Sequence, residues 1–351
     1  MSEFANRLIA WQKVHGRHDL PWQNTTDPYA IWVSEIMLQQ TQVAAVIGYY
    51  SKFMQRFPNI ATLAAATQDE VLQHWSGLGY YSRARNLHNA AQTIMDEHGG
   101  EFPQNFNAIQ TLSGIGRSTA AAIASFAFNQ IQTILDGNVK RVLARHFLIE
   151  GWPSTPKVEK QLWTLAEDLL PQQNMIAYTQ GLMDLGATLC TRSKPKCSVC
   201  PLNDTCEAYK QGRVSELPTP KPRKTIPEKY TTMLILRRGD EVMLEKRPPT
   251  GIWGGLWSFP EVETDYNTEA VVLNRFAINA EADEPLATLS HAFTHFKLHI
   301  QPQPLNVIKL NAKICEAGQI WLSIEDAIGA AIPTPVRKIL QSLQNKQYSL
   351  V

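Results

Sequence analysis

The stretch LSGIGRSTAAAI, residues 112–123, decides the fold. Gly114 and Gly116 permit a tight turn whose backbone N–H groups stay uncovered. The run that follows has a helical composition, with Arg117, Ser118 and Thr119 in its first turn. A helix opening on uncovered N–H groups attracts anions, because those groups and the helix dipole point the same way. Leu112, Ile115 and Ile123 are spaced to pack two helices across the turn. An ordinary helix–helix connection would read in the same way, so the surrounding sequence has to choose.

On the C-terminal side comes QTILDGNVKRVLARHF, residues 132–147. Asp136 follows an apolar run and precedes Gly137-Asn138, which makes it an N-cap for the next helix. A carboxylate can cap a helix and also face a site. Further on, Cys190, Cys197, Cys200 and Cys206 are spaced C-x6-C-x2-C-x5-C within 17 residues. A loop of that size wraps one metal centre, and thiolates suit both zinc and iron–sulfur clusters. Structural zinc usually shows two close cysteine pairs. One close pair with two flanking cysteines fits a single [4Fe–4S] cluster better. Arg192, Lys194 and Lys196 lie between the first two ligands, where a fixed loop would present them to phosphates. Residues 190–224 hold eight basic and three acidic side chains, although the whole chain carries a formal charge of only +1. Cys315 is far away and reads as a buried or incidental thiol.

On the N-terminal side lies DPYAIWVSEIMLQQTQV, residues 27–43. Glu35 is the one acid among Ile31, Trp32, Val33, Ile36, Met37 and Leu38. Such a glutamate either faces solvent or is a partly buried acid. Burial would raise its pKa and keep it protonated, as a general acid requires.

Over the 351 residues, 44% are hydrophobic and 19% charged, so the chain folds and is long enough for two or three domains. Apolar residues recur at helical spacing through 28–57, 61–76, 83–97, 117–128, 138–147, 157–170 and 174–188. Residues 1–212 are therefore expected to be one helical domain. Residues 213–229, RVSELPTPKPRKTIPEK, carry four prolines and five Lys or Arg and read as an extended linker. Beyond it the period changes. TTMLILRRGDEVMLEKR, residues 231–247, predicts two strands around a turn at 238–240. Strands near 286–289, 296–302 and 319–322, then helices over 324–328 and 334–344, make 230–351 an α+β domain. No run of 18 apolar residues and no secretory leader is present, so no membrane partner and a cytoplasmic setting are expected.

A glycine hairpin, an aspartate about twenty residues on and this cysteine spacing together resemble the endonuclease III superfamily of helix-hairpin-helix DNA glycosylases. LPWQNTTDPYAIWVSEIMLQQTQV, GLGYYSRARNLHNAA and LDGNVKRVLAR are similar to its adenine-removing branch. The resemblance implies a mainly α helix-hairpin-helix glycosylase domain with an iron–sulfur loop. It also implies an α+β Nudix-like domain at the C-terminus. The implied partner is double-stranded DNA holding adenine opposite 8-oxoguanine or guanine, bound by a monomer. Glu35 would match the acid that protonates adenine, and Asp136 the carboxylate that stabilises the sugar cation. Asn138 would support the site, and Trp22 and Leu38 would line the adenine pocket. Gln40 and Tyr80 would match residues that enter the duplex beside the oxidised guanine. Gly114 and Gly116 would match the clamp glycines. Ser118 stands where strand-cleaving relatives carry a Schiff-base lysine, so base removal without a strong lyase step is implied. Lys140, near Asp136 in sequence, is a candidate for weak side chemistry. Ser113 departs from the proline usual in the hairpin, which bears on its stiffness. EKRPPTGIWGGLWSFPEVE, residues 245–263, is similar to the Nudix Gly/Trp loop, but the metal-binding R-E-x-x-E-E set does not follow it. The domain is therefore expected to recognise rather than hydrolyse. In LSHAFTHFKLHI, residues 289–300, Phe293, Thr294 and His295 stand where the family reads 8-oxoguanine with Phe-Ser-His. His291 and His295 are alternatively zinc ligands or ordinary strand residues.

Overall fold

A computed structural model describes residues 2–222, 225–264, 266–310 and 318–348. Two compact units emerge, residues 1–65 with 86–223 and residues 66–85 with 224–351. Residues 66–85, expected from the sequence within the helical domain, thus group with the second unit. Cys315 lies outside the described residues. No helix among them is long and apolar enough to cross a membrane.

The first unit is helical. It opens with α1 (Glu3–His15), α2 (Pro28–Leu38), α3 (Val43–Arg56) and α4 (Ile60–Ala65). The chain then passes through α5 (Gln68–Trp75) and the first turn of α6 (Ser82–Glu97), both counted in the second unit. The rest of α6, then α7 (Phe106–Thr111), α8 (Arg117–Phe128), α9 (Gly137–His146), α10 (Pro156–Asp168) and α11 (Met175–Asp184) complete the bundle. A π turn over Leu185–Leu189 and a short α12 (Glu207–Lys210) flank the cysteine loop.

Local chemistry sets these ends. The Ser2 hydroxyl accepts from the Ala5 N–H at 3.2 Å, and the Asp27 carboxylate accepts from the Tyr29 N–H at 3.0 Å, with Pro28 at the first position of α2. The single helix expected over 28–57 is broken because Gln39–Gln42 form a turn, with Gln40 in the left-handed region at φ 56°. The helix expected over 61–76 breaks where the Thr67 hydroxyl caps α5. Leu8, Ala121, Leu143, Leu162, Tyr178 and Leu182 from α1, α8, α9, α10 and α11 meet in one core.

The expected linker is anchored on the first unit. Leu217 is buried and its carbonyl accepts from Arg145 Nε at 2.8 Å, while the Thr219 hydroxyl accepts from the Gly151 N–H at 2.9 Å.

The second unit is built on a mixed eight-stranded sheet. Its strands are β1 (Glu228–Arg238), β2 (Glu241–Lys246), β3 (Trp257–Ser258), β4 (Glu261–Val262), β5 (Ile278–Ala282), β6 (Leu289–Ala292), β7 (Lys297–Leu310) and β8 (Gln319–Ser323). The main path is β3-β2-β1-β7-β5, with β4 on β1, β6 on β7 and β8 on β2. Among the described residues only β1 and β7 run parallel, Glu228 facing Lys297 through to Arg237 facing Asn306. Helix α13 (Thr268–Phe276) buries Val272 and Phe276 against Leu234, Leu236, Met243 and Leu305. Helices α14 (Ile324–Gly329) and α15 (Thr334–Tyr348) follow β8.

Strand β7 runs well past the expected 296–302 because its prolines do not end it. Pro302 and Pro304 have no N–H to donate, and proline normally argues against a central strand. Here β6 pairs with 297–300 and β5 with 305–310, leaving 301–304 without a strand on that side. The segment 283–286 fills the gap. The Leu286 and Asp283 N–H groups donate to Pro302 O and Pro304 O, both at 3.0 Å. The missing donors are supplied by side chains, Gln301 Nε2 to Leu286 O at 2.7 Å and Gln303 Nε2 to Asp283 O at 2.6 Å.

Candidate active site

Helix α2 is buried on nearly every side; between its ends, Glu35 alone is half-buried. Glu35 opens onto a cavity of about 710 Å³ that Trp22, Ile31 and Leu38 also line. Trp22 is held edge-on against Tyr50, ring centroids 5.4 Å apart. Burial pushes the Glu35 carboxyl up to about 8, and the negative charge of Asp136 pushes in the same direction. The two acids expected from the sequence are therefore neighbours, although they lie about a hundred residues apart.

Asp136 does cap α9, its Oδ1 accepting from the Val139 N–H at 2.8 Å. Burial raises its pKa, while the Val139 and Asn138 N–H groups and the Arg141 and Lys140 charges oppose that shift. The same carboxylate thus caps a helix and acts through its charge on Glu35. Asn138 Oδ1 accepts from Arg141 Nη2 at 2.8 Å. Lys140 is turned to Glu159, 2.6 Å away, in an ion pair. The Ser118 hydroxyl accepts from the Leu135 N–H at 2.9 Å, which fixes the residue just before Asp136.

The hairpin forms as expected. Gly114 has φ 79°, and a Cβ there would stand 2.8 Å from Asn86 Cβ, so both the backbone and the close approach of α6 demand glycine. Gly116 is the N-cap of α8 without a side-chain cap, leaving the first N–H groups of that helix uncovered. Gln39 Nε2 donates to the Thr119 hydroxyl at 3.3 Å, joining the end of α2 to the start of α8. Gln40, next in the chain, is exposed.

Sequence reasoning missed a second buried acid. Asp184 is fully buried and accepts from the Arg17 N–H at 2.9 Å, from Arg17 Nε and Nη2 at 2.7 Å, and from Gln180 Nε2 at 2.8 Å. Arg17 and Gln180 line the same cavity as Glu35. The signal was the one that flagged Glu35, an acid within an apolar run, here GLMDLGATLC, residues 181–190. Removing Arg17 would strand the buried Asp184 charge, a loss of roughly 3–5 kcal/mol.

Arg141 and Arg145 were also overlooked. Both project from α9 towards the cysteine loop. Arg141 donates to Cys190 O and to Gly186 O, each at 2.7 Å. Arg145 is buried and donates to Thr191 O at 2.7 Å, to Arg192 O at 3.1 Å and to Cys190 Sγ at 3.4 Å. One helix thus carries Asp136 at its start and grips the cysteine loop further along.

Cys190, Cys197, Cys200 and Cys206 are free, half-buried thiols around one small cavity of about 30 Å³. Burial and the neighbouring thiols push Cys197, Cys200 and Cys206 up; the Arg145 charge opposes this at Cys197, the Leu202 N–H at Cys200 and the Tyr209 and Ala208 N–H groups at Cys206. Among the described residues no three His, Cys, Asp or Glu side chains are gathered to hold a single metal ion. Four thiols lining a common space are the donor set that an iron–sulfur centre takes. Replacing Cys200 by Ser is expected to remove bound iron and its visible absorption and to lower Tm by about 5–10 °C. Iron analysis and a melting curve check this, and full iron retention would remove Cys200 from the ligand set.

In the second unit a groove of about 1120 Å³ is lined by Tyr80, Trp253, Phe293, Thr294 and His295 among others. Tyr80 is 46% exposed, with φ 49° and the Arg83 guanidinium over its ring at 5.5 Å. His291 packs on Phe293 and Trp253, at 4.7 and 5.4 Å between ring centroids, as part of an aromatic cluster.

The chain is similar to known proteins in each of these parts. A model of the HhH-GPD superfamily of base excision DNA repair proteins matches residues 33–168. The iron–sulfur binding domain of endonuclease III matches 190–206, and a NUDIX domain matches 231–342. The adenine DNA glycosylase of Buchnera aphidicola subsp. Acyrthosiphon pisum is 39% identical over 343 residues, 97% of each chain. That of Mus musculus is 34% identical, covering 98% of this chain and 78% of its own length. Among solved structures, a thermostable thymine-DNA glycosylase is 31% identical with a TM-score of 0.54, over 59% of this chain and 95% of that one. A non-covalent endonuclease III–DNA complex is similar in fold, at 21% identity and a TM-score of 0.51, over 60% of this chain and 94% of that one.

Proposed function

The chain belongs to the adenine DNA glycosylase family, and from that premise we propose that its target is adenine opposite 8-oxoguanine, or opposite guanine, in duplex DNA. The family reaction removes adenine in base excision repair by hydrolysing its N-glycosidic bond. The observation that carries the assignment of roles is Glu35 at a cavity lined by Trp22 and Leu38, close enough to Asp136 for its charge to raise the Glu35 carboxyl.

Adenine stacked in a duplex cannot reach that cavity, so it is flipped out of the helix. Trp22 and Leu38 take up its faces. Glu35, neutral at pH 7, gives its proton to the adenine ring at N7. The bond between the sugar and the base then breaks, and its electron pair leaves with the base. Asp136, ionised, stabilises the positive charge left on the sugar, as paired carboxylates do in glycoside hydrolysis. Water adds to the sugar carbon and returns a proton to Glu35. The enzyme is monofunctional in this reading. The Ser118 hydroxyl forms no Schiff base, and Lys140 is held by Glu159.

Gly114, Gly116 and the uncovered N–H groups of α8 hold a DNA phosphate. The iron–sulfur centre is a [4Fe–4S] cluster on the four cysteines. Its role is structural, fixing a loop that presents Arg192, Lys194 and Lys196 to the backbone. Phe293, Thr294 and His295 read the base opposite the target, and Gln40 and Tyr80 enter the duplex beside it. The protein acts as a monomer in the cytoplasm, and a bacterial source is in keeping with relatives such as that of Buchnera aphidicola.

The test is a labelled duplex with adenine opposite 8-oxoguanine. Cleavage at the adenine is expected only after alkali treatment. Equal cleavage without alkali would overturn the monofunctional reading, and no cleavage in either arm would overturn the substrate.

A further inference from the structure

The Gly/Trp loop over 247–256, RPPTGIWGGL, touches both the aromatic turn at 293–296 and the start of α6. It is closed by the Arg247 N–H donating to Leu256 O at 2.9 Å and the Gly255 N–H to Pro248 O at 3.0 Å. A Cβ at Gly254 would stand 2.5 Å from Pro249 O, so the two limbs of the loop lie against each other. Trp253 is held at φ 53°, a left-handed conformation that a non-glycine residue keeps only when its surroundings enforce it. Its ring is 7% exposed and lies 5.4 Å from His291 and 5.3 Å from Phe293. The Arg247 guanidinium sits over the same ring at 5.6 Å. Phe293 belongs to a tight turn, its N–H donating to Phe296 O at 2.8 Å.

The next residue faces the other way. Gly254 O accepts from Arg85 Nη1 at 2.6 Å. Arg85 lies in the first turn of α6, five residues beyond Tyr80. The aromatic turn at 293–296 and the turn bearing Tyr80 are therefore joined through two consecutive residues of one rigid loop.

We propose that Trp253 and Arg85 are positioning residues that couple recognition of the base opposite the target to placement of the Tyr80 turn. This rests on the assignment of Phe293–His295 as the reader of 8-oxoguanine. Seating of Phe293 is transmitted through the Trp253 ring to the Gly254 carbonyl, and through Arg85 to the start of α6. A purely structural loop would affect stability and excision of all substrates alike.

The test measures single-turnover excision from duplexes with adenine opposite 8-oxoguanine and opposite guanine. Wild type, Arg85→Met, Arg85→Lys, Phe293→Ala and the Arg85→Met/Phe293→Ala double variant are compared, with a melting curve for each. The wild type should favour the 8-oxoguanine duplex. Arg85→Met should lower that preference about fivefold, and the double variant should fall no further than Phe293→Ala alone, because coupled sites are not additive. Arg85→Lys, which keeps a donor, should recover most of the preference. If the wild type shows a preference that Arg85→Met keeps, or if the two losses simply add, the coupling is overturned while the substrate assignment stands. If Arg85→Met lowers Tm and slows both substrates equally, the role is structural and the coupling is likewise overturned. A wild type without any preference would overturn the reader assignment, and the coupling with it.

Discussion

Replacing Glu35 by Gln is expected to slow adenine excision by about 10⁴-fold, the upper end for general acid catalysis. Affinity for the mismatched duplex should be kept, because the amide preserves shape and a hydrogen-bond donor but has no proton to transfer. A single-turnover rate and a binding isotherm on the same duplex check both halves. Normal excision by the variant would remove Glu35 from the mechanism. The wild-type pH profile follows from the same carboxyl. Its pKa is raised to about 8, so the required protonated form is complete at neutral pH and excision falls as pH rises through about 8. Stability carries the same sign. The folded protein holds the Glu35 proton more tightly than the unfolded chain, so this stabilisation is full below the ordinary carboxylate range and lost as pH rises through about 8. The Glu35→Gln protein should therefore melt higher than wild type above that pH.

Replacing Asp136 by Asn is expected to slow excision by about 10²–10³-fold, the usual loss when a charge aimed at a developing ion is removed from a shielded site. This substitution separates the two roles of the residue. Asparagine caps a helix about as well as aspartate, so α9 should keep its start. Burial alone raises the Asp136 pKa, so exchanging the charge for an amide relieves a desolvation penalty. Tm is therefore expected to hold or rise while the rate collapses. A fall in Tm that tracks the fall in rate would mean that capping is the main role. The residual activity carries a second signature. The Asp136 charge helps to raise Glu35, so the alkaline limb of the profile should move to lower pH in the variant.

Much of this site was legible in the sequence because its chemistry is local. A glycine hairpin, a cap before a helix and clustered cysteines each announce themselves within about twenty residues. Glu35 stood out because an acid in so apolar a helix has few explanations. Asp184 offered the same clue, yet its partner Arg17 lies 167 residues away in sequence, and only the packing of α1 against α11 brings that N-terminal segment to it. Arg141 and Arg145 looked like ordinary cations at helical spacing, because their acceptors are carbonyls of a loop about fifty residues away. The grouping of 66–85 with the second unit depends on tertiary contacts such as Arg85 with Gly254, which no periodicity encodes. Strand β5 and helix α13 were not read because short, mixed segments carry little period. Strand β7 was read too short because two prolines usually end a strand.

Those prolines have a consequence for the chain before it is complete. A long strand at the middle of a mixed sheet forms late, since its parallel partner is about seventy residues away. Until then its backbone would template addition of strands from other nascent chains, the usual route to aggregation. Gln301-Pro302-Gln303-Pro304 interrupts that template, offering two carbonyls but no backbone donors along one edge. Here the segment 283–286 satisfies it through the glutamine amides, whereas an incoming β-strand would meet no backbone donor at 302 or 304. The same four residues that look like a flaw in the finished sheet thus act as a gatekeeper during synthesis.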